Sequence, residues 1–214
     1  MKAIFRHELS LYYHSLIGWI FGTFLLFFAG IYTMAVNLNS NLANFAYVLT
    51  NLSFIFLILV PILTMRTIAE EKKQKTDQLL YSLPLTMTQV AAGKYAALLV
   101  VLAVPTGVLC LYPVVLSVFG AVSLPLSYGT MVGFFLLGAS LLAIGLFLSS
   151  LTESQGAAAG LCFAVLLVNY FLSSLSGYFA SSAKASFVAF TVLVVLVGII
   201  FRLMTGNTPV SLGL

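Results

Sequence analysis

Charge is what this sequence has least of. Its 214 residues include nine lysines and arginines and five aspartates and glutamates. A soluble domain carries charge on about a quarter of its residues, whereas this chain carries it on 7% and is 62% hydrophobic. A water-facing surface cannot be built from so few charges, which excludes a soluble enzyme. The hydrophobicity also excludes a disordered chain. The composition therefore predicts a polytopic integral membrane protein.

Cysteine and the motifs of common chemistries are scarce as well. Cys110 and Cys162 fall inside apolar runs, so they indicate no disulfide framework. The pair Gly93-Lys94 precedes a tyrosine and lacks the first glycine of the phosphate-binding loop GxxxxGK[ST]. We therefore predict no catalytic residue, no bound cofactor and no metal site in this chain. The net charge of +4 gives no reason to invoke nucleic acid, because topology explains it.

Four runs without charge place six predicted helices. A membrane-spanning helix needs about 20 apolar residues, so residues 9–65 and 95–152 hold two spans each, and 154–183 and 185–201 hold one each. The runs are continuous rather than alternating, which favours helices over a barrel. The sequence predicts an all-α polytopic membrane protein that forms one transmembrane domain over residues 1–214. The predicted spans are 16–36, 45–65, 95–119, 128–148, 156–175 and 187–204.

Three features inside the spans lead to further expectations. Pro105 and Pro113 are expected to bend or unwind the third span. Three pairs of glycines are spaced to let helices approach closely: Gly18 and Gly22, Gly129 and Gly133, and Gly156 and Gly160. Five polar residues are expected to hydrogen-bond between helices, with a substrate pathway as the alternative: Asn51, Thr106, Ser140, Asn169 and Ser173.

The distribution of basic residues predicts the orientation. With the N-terminus inside, eight of the nine lysines and arginines lie on the cytoplasmic side, and only Lys184 lies outside. Both termini are then cytoplasmic, in a plasma (inner) membrane. The first apolar stretch is too long for a cleaved signal peptide, so we expect it to be retained.

Residues 1–15 are predicted to form an interfacial helix that contacts membrane lipid. A helical wheel places Phe5, Leu9, Tyr12 and Leu16 on one side and Lys2, Arg6, Ser10 and His14 on the other. Glu8 falls within the apolar arc, so we expect it to turn toward protein and meet a cation. A charged flank that only fixes topology is the alternative.

Residues 66–94 form the one sizeable polar segment, with eight of the fourteen charges. Residues 68–82 can form a helix that ends before Pro84, and a second short helix can run from Thr86 into the third span. The mixture of charge and leucine indicates a docking surface for a cytoplasmic partner. A solvated loop is the alternative.

Three stretches resemble the permease subunits of type-2 (ABC-2) ATP-binding-cassette exporters, particularly their gliding-motility-type branch. They are FRHELSLYYHSLIGWI at the N-terminus, TMRTIAEEKKQKTDQLLYSLPLTMTQVAAGKY after the second predicted span, and SSLTESQ between the fourth and fifth. The second stretch carries most of the resemblance, through Glu70-Glu71, Leu83-Pro84 and Gly93-Lys94.

The resemblance implies a coupling helix within residues 66–84 that docks on a separate ATPase subunit, which would bind the ATP and Mg. A second permease chain, identical or related, would complete the pathway. The family often extends well past position 214, so the chain is expected to be short relative to it. A non-transporting anchor or regulator, and an ATP-independent channel or carrier, remain as alternatives, and the substrate stays open. The implied ATPase contacts are Arg66, Glu70, Glu71, Lys72, Lys73, Thr76, Thr152, Glu153 and Gln155.

Overall fold

A computed structural model describes residues 2–39, 44–69, 87–119, 122–152, 154–176 and 191. Over these residues the chain is all-helical and has no strand. A π-helical stretch, Thr33–Asn39, continues the second helix beyond residue 36, the predicted end of the first span. The helices are α1 Lys2–His14, α2 Leu16–Tyr32, α3 Phe45–Ser53, α4 Phe56–Thr64, α5 Met87–Leu109, α6 Leu111–Phe119, α7 Leu124–Leu151 and α8 Gln155–Ser176.

The described residues contain three helices that are long and apolar enough to cross a membrane, Leu16–Asn37, Thr88–Val118 and Leu124–Leu151. The bent pair α3 and α4 makes a fourth when it is counted as one span. Helix α8 coincides with the predicted fifth span to within a residue at each end. The sixth predicted span, 187–204, lies outside the described residues apart from residue 191. The all-α membrane fold is confirmed, and the count of six spans stays a prediction.

The second span is bent, which its apolar sequence did not predict. The span bends by 52° between α3 and α4. At the break the Phe54 N–H donates to Asn51 O at 3.3 Å and the Ile55 N–H donates to Leu52 O at 3.0 Å. Both bonds span three residues rather than four, so the chain tightens locally into a 3₁₀ step. Pro61 lies inside α4, beyond the break.

The third span is interrupted between Pro105 and Pro113 and is not unwound at either proline. Helix α5 continues past Pro105, and the helix is interrupted at Cys110 instead. The Cys110 N–H is shared between Thr106 O and Gly107 O, both at 3.2 Å. Pro113 is the third residue of α6, where the backbone N–H has no intrahelical acceptor, so its absence costs nothing.

The core lies where α2, α4, α5 and α7 pack together. Phe56 and Phe134 stack at its centre with ring centroids 4.6 Å apart, and the Tyr95 hydroxyl donates to Ala139 O at 3.0 Å. Two glycines of α7 make the packing close. A Cβ on Gly138 would lie 2.8 Å from Leu102 Cδ2, and one on Gly145 would lie 2.6 Å from Thr64 Oγ1.

The glycine pairs do not pack the helices of this chain in the way that we expected. Only Gly18 makes a close approach, with a Cβ position 2.6 Å from Tyr12 O. The other five have no described atom within 4 Å of the Cβ position: Gly22, Gly129, Gly133, Gly156 and Gly160. The close contacts are made by isolated glycines, because a contact depends on which face of the helix is covered and not on spacing alone.

Three of the polar residues in the spans bond within their own helices, which corrects the expectation of bonds between helices. The Asn51 amide donates to Tyr47 O, the Thr106 hydroxyl to Leu102 O, and the Ser140 hydroxyl to Leu137 O. A helix supplies these carbonyls three or four residues earlier, so one donor of each group finds an acceptor without a partner helix.

Candidate functional site

A buried ion pair joins the N-terminal helix to the start of the third span. Glu8 Oε1 lies 2.6 Å from Lys94 Nζ, and the two side chains are only 8% and 3% exposed. The same ammonium donates to Thr67 O at 3.0 Å. Charges are tolerated in such a place only when they are paired and hydrogen-bonded. The expectation that Glu8 turns toward protein and meets a cation is confirmed.

Thr67 is held a second time, by the N-terminal helix itself. Its hydroxyl lies 2.9 Å from the hydroxyl of Tyr12, and this contact is buried. Glu8 and Tyr12 are four residues apart on α1 and therefore lie on the same face. We call Glu8, Tyr12, Thr67 and Lys94 the joint. It brings together α1, the residues that follow α4, and α5.

Small residues allow the elements of the joint to approach one another. A Cβ on Gly93 would lie 3.1 Å from Ile4 Cγ2 and 3.4 Å from Ile4 Cβ. A larger side chain at this position would require Ile4 to shift by a few tenths of an ångström. Gly18 has the corresponding role at the corner between α1 and α2, where it packs on the Tyr12 carbonyl.

The exit from α4 is also fixed from the side of α7. Ser149 Oγ accepts from the backbone N–H groups of Ile68 and Ala69, at 3.3 and 3.2 Å. These two N–H groups follow the end of α4, and Ser149 supplies an acceptor for both. A single hydroxyl of α7 thus holds the chain just before residues 70–86, which lie outside the described residues.

The structure describes three of the nine candidate ATPase contacts. Arg66 is half-buried, one residue before Thr67 of the joint. Thr152 is buried at the end of α7, and Gln155 is half-buried at the start of α8. The remaining six lie outside the described residues: Glu70, Glu71, Lys72, Lys73, Thr76 and Glu153. The assignment of all nine as ATPase contacts stays a prediction.

The sequence predicted the role of one of the four residues of the joint. The position of Glu8 in the apolar arc of α1 was a usable signal, since a carboxylate there needs a buried partner. Lys94 was assigned to the exposed polar segment, although it is 2% exposed. Nothing in the sequence marked Thr67, because its role depends on a backbone carbonyl and on contacts from distant residues.

The joint is suited to mechanics rather than to catalysis. Both charged groups are buried and engaged with each other, so neither is presented to a substrate. No group of three or more histidines, cysteines, aspartates and glutamates comes together among the residues that the structure describes. What the joint can do is hold three chain segments in a fixed arrangement.

A comparison with known families decides what kind of protein this is. The sequence profile of the ABC-2 family transporter proteins matches residues 29–213, which is most of the chain. The chain belongs to the ABC-2 transporter family. ABC-2 chains are multi-pass permeases of ATP-binding-cassette transporters, typically without catalytic residues, and they work with an ATPase subunit. No curated protein and no solved structure matches the chain.

Proposed function

We propose that this ABC-2 permease is the membrane subunit of an exporter and that it docks a separate ATPase through residues 66–84. The observation that carries the proposal is the bond from Lys94 Nζ to Thr67 O, at 3.0 Å. The described chain runs to Ala69, resumes at Met87, and brings Lys94 against Thr67. A segment held in this way at both ends can transmit a displacement to the helices at its base.

The content of that segment fits a protein partner. In sequence it carries adjacent acids and bases, Glu70-Glu71 and Lys72-Lys73, which are followed by the leucine pair Leu79-Leu80. Charged groups set the specificity of an interface and apolar groups supply its stability. ATP and Mg would bind in the ATPase subunit. The cytoplasmic side is proposed from the basic residues, which concentrate here.

The face shared by α3 and α8 is the best place for a second permease chain and the transport pathway. Asn51 of α3 and Asn169 of α8 are both exposed, and Phe54, which follows α3, contacts Tyr170 of α8 with ring centroids 5.2 Å apart. Both asparagines lie roughly 20 Å along their helices from the end of the bundle that carries the joint, which is inside a bilayer core of about 30 Å. Lipid satisfies such polar groups poorly, so a partner chain or a substrate suits this face better.

In the proposed cycle, ATP binding closes two ATPase subunits and moves the docked segments. The displacement passes through the joint to α4 and α5 and changes the exposure of the α3–α8 face. The ATPase can shift the equilibrium between the two states only by as much as its interaction energy differs between them. Export, rather than import, is proposed from the resemblance to the gliding-motility-type branch.

Docking is tested by reversing charges within the segment. The double variant Glu71→Arg with Lys73→Glu keeps the net charge of the segment but inverts its pattern. We expect normal membrane insertion and loss of ATPase co-purification, whereas Lys184→Glu, in the connection predicted to lie outside, should retain the ATPase. Undiminished co-purification of the double variant would refute docking through residues 66–84.

The pathway is tested with single cysteines in a background where Cys110 and Cys162 are alanine. Asn51→Cys should form a disulfide with the partner chain on oxidation, and its labelling by an impermeant maleimide should change with ATP and vanadate. Val132→Cys, 61% exposed on α7, is the control and should show neither effect. An ATPase that co-purifies without any change at Asn51→Cys would favour a membrane anchor or regulator instead.

A further inference from the structure

We propose that Glu8 and Lys94 are positioning residues, which lock α1 and both ends of the 70–86 segment into one unit that moves as a whole. This proposal rests on the function proposed above, because it concerns how the docked ATPase moves the spans. It assigns α1 a part in coupling in addition to membrane anchoring.

The first argument is the number of segments that meet on one ammonium group. Lys94 belongs to α5, Glu8 belongs to α1, and Thr67 belongs to the stretch after α4, and Lys94 Nζ contacts both of the others. A lysine ammonium has three N–H donors, and the two bonds direct it toward two different chain segments. Any movement of one segment relative to the others must break a bond to this group.

The second argument is burial. Glu8 is 6% exposed and Lys94 is 2% exposed as whole residues. Separating the pair would leave two uncompensated charges in a place that water does not reach, which is far more costly than breaking an exposed pair. The joint is therefore a poor place for a hinge, and displacement of the segment is expected to carry α1 with it.

The third argument is that uncharged contacts reinforce the same assembly. Tyr12 bonds to the hydroxyl of Thr67 at 2.9 Å, and Gly93 brings α5 against Ile4 of α1. The residues after α4 are also tied to α7, where the hydroxyl of Ser149 accepts from the N–H groups of Ile68 and Ala69. The charged link runs to α1 through Lys94, so we take the unit to comprise α1, residues 67–69 and the first turns of α5.

A disulfide between α1 and α5 tests whether they move together. A Cβ on Gly93 would lie 3.4 Å from Ile4 Cβ, close to the separation in disulfides of about 3.8 Å. In the background without Cys110 and Cys162, the pair Ile4→Cys with Gly93→Cys is reconstituted with its ATPase. The measurement is the ATP hydrolysis that depends on this chain, after oxidation and after reduction.

We expect oxidation to change that rate by less than about twofold, since the bond joins parts of one unit. A loss of more than about tenfold that is restored by reduction would overturn the proposal, because it would show that α1 must move relative to α5. The two single-cysteine variants control for the oxidant. If no ATPase associates with the reduced protein, the proposed function has failed, and this is read separately from the effect of oxidation.

The role of the ion pair is tested by Glu8→Gln, which keeps the shape of the side chain and removes its charge. We expect the maximal chain-dependent ATP hydrolysis to fall about tenfold, the scale of a lost charge-assisted hydrogen bond. The KM for ATP, a property of the ATPase, should not change. The Ile4–Gly93 disulfide should restore the rate in the Glu8→Gln background, because it replaces the missing link.

Tyr95→Phe is the matched control, since Tyr95 is the neighbour of Lys94 but its hydroxyl donates to Ala139 O of α7 and makes no described bond to a residue of the joint. It should leave the coupling rate unchanged. If Glu8→Gln lowers the melting temperature but leaves the rate per folded complex at the wild-type value, its role is structural alone and the proposal is wrong.

Discussion

Replacing Gly145 with alanine is expected to weaken the contact between α4 and α7. The new Cβ would lie 2.6 Å from Thr64 Oγ1, 2.8 Å from Thr64 Cγ2 and 3.0 Å from Thr64 Cβ. Thr64 is 1% exposed and cannot easily turn away, because its hydroxyl donates to Val60 O at 2.9 Å and lies 3.9 Å from Cys162 Sγ. The helices themselves must therefore separate.

The size of the effect follows from two opposing terms. Overpacking of this kind costs about 1–3 kcal/mol, while alanine in place of glycine stabilises a helix by up to about 1 kcal/mol. Gly133→Ala is the control, because it lies on the same helix and has no described atom within 4 Å of its Cβ position. The difference between the two variants isolates the packing term and should be about 1–3 kcal/mol.

The assay is thermal unfolding of the purified protein in detergent. For a chain of this length, about 1 kcal/mol corresponds to roughly 2–4 °C in melting temperature, so Gly145→Ala should melt several degrees below Gly133→Ala. Adding Thr64→Ala removes the two nearest atoms and should recover part of the loss. Equal melting temperatures for the two glycine variants would refute the close approach of α4 and α7.

Two further predictions each compare two residues of α7. Ser149→Ala leaves the N–H groups of Ile68 and Ala69 without their acceptor and should cost about 1–3 kcal/mol, with faster amide exchange at both. Ser140→Ala, whose exposed hydroxyl donates to Leu137 O of its own helix, should cost little, and equal effects would contradict the contact. Phe134→Ala removes a ring that stacks on Phe56 and should cost about 3–5 kcal/mol in unfolding by detergent titration. Phe147→Ala, 56% exposed, should be nearly neutral, and a similar loss in both would argue against the core.

The positions of the spans could be predicted from the sequence because a bilayer demands apolar runs of a fixed length. Helices α2, α7 and α8 each cover a predicted span with ends that differ by a few residues. Helix α5 begins at Met87, eight residues before the apolar span, and this confirms the helix predicted from Thr86 into the third span. Lys94 lies within the helix and is buried, because its charge is paired with that of Glu8.

The bend in the second span and the joint could not be predicted in the same way. The break at Phe54 lies in an apolar run, where hydropathy gives no signal. Thr67 matters through its backbone carbonyl and through contacts with residues 27 and 55 positions away. Gly93 was assigned to a family motif, but its role in the structure is to admit Ile4. Such features depend on tertiary packing, which a single sequence does not display.

The cytoplasmic location of residues 66–84 is the claim on which the proposed coupling most depends. It is tested by placing a single cysteine at Gln74 in the background without Cys110 and Cys162, and by labelling with a membrane-impermeant maleimide. Intact cells should leave the cysteine unlabelled, and inverted membrane vesicles should label it fully. Labelling in intact cells would place the segment on the outer face and contradict docking of a cytoplasmic ATPase.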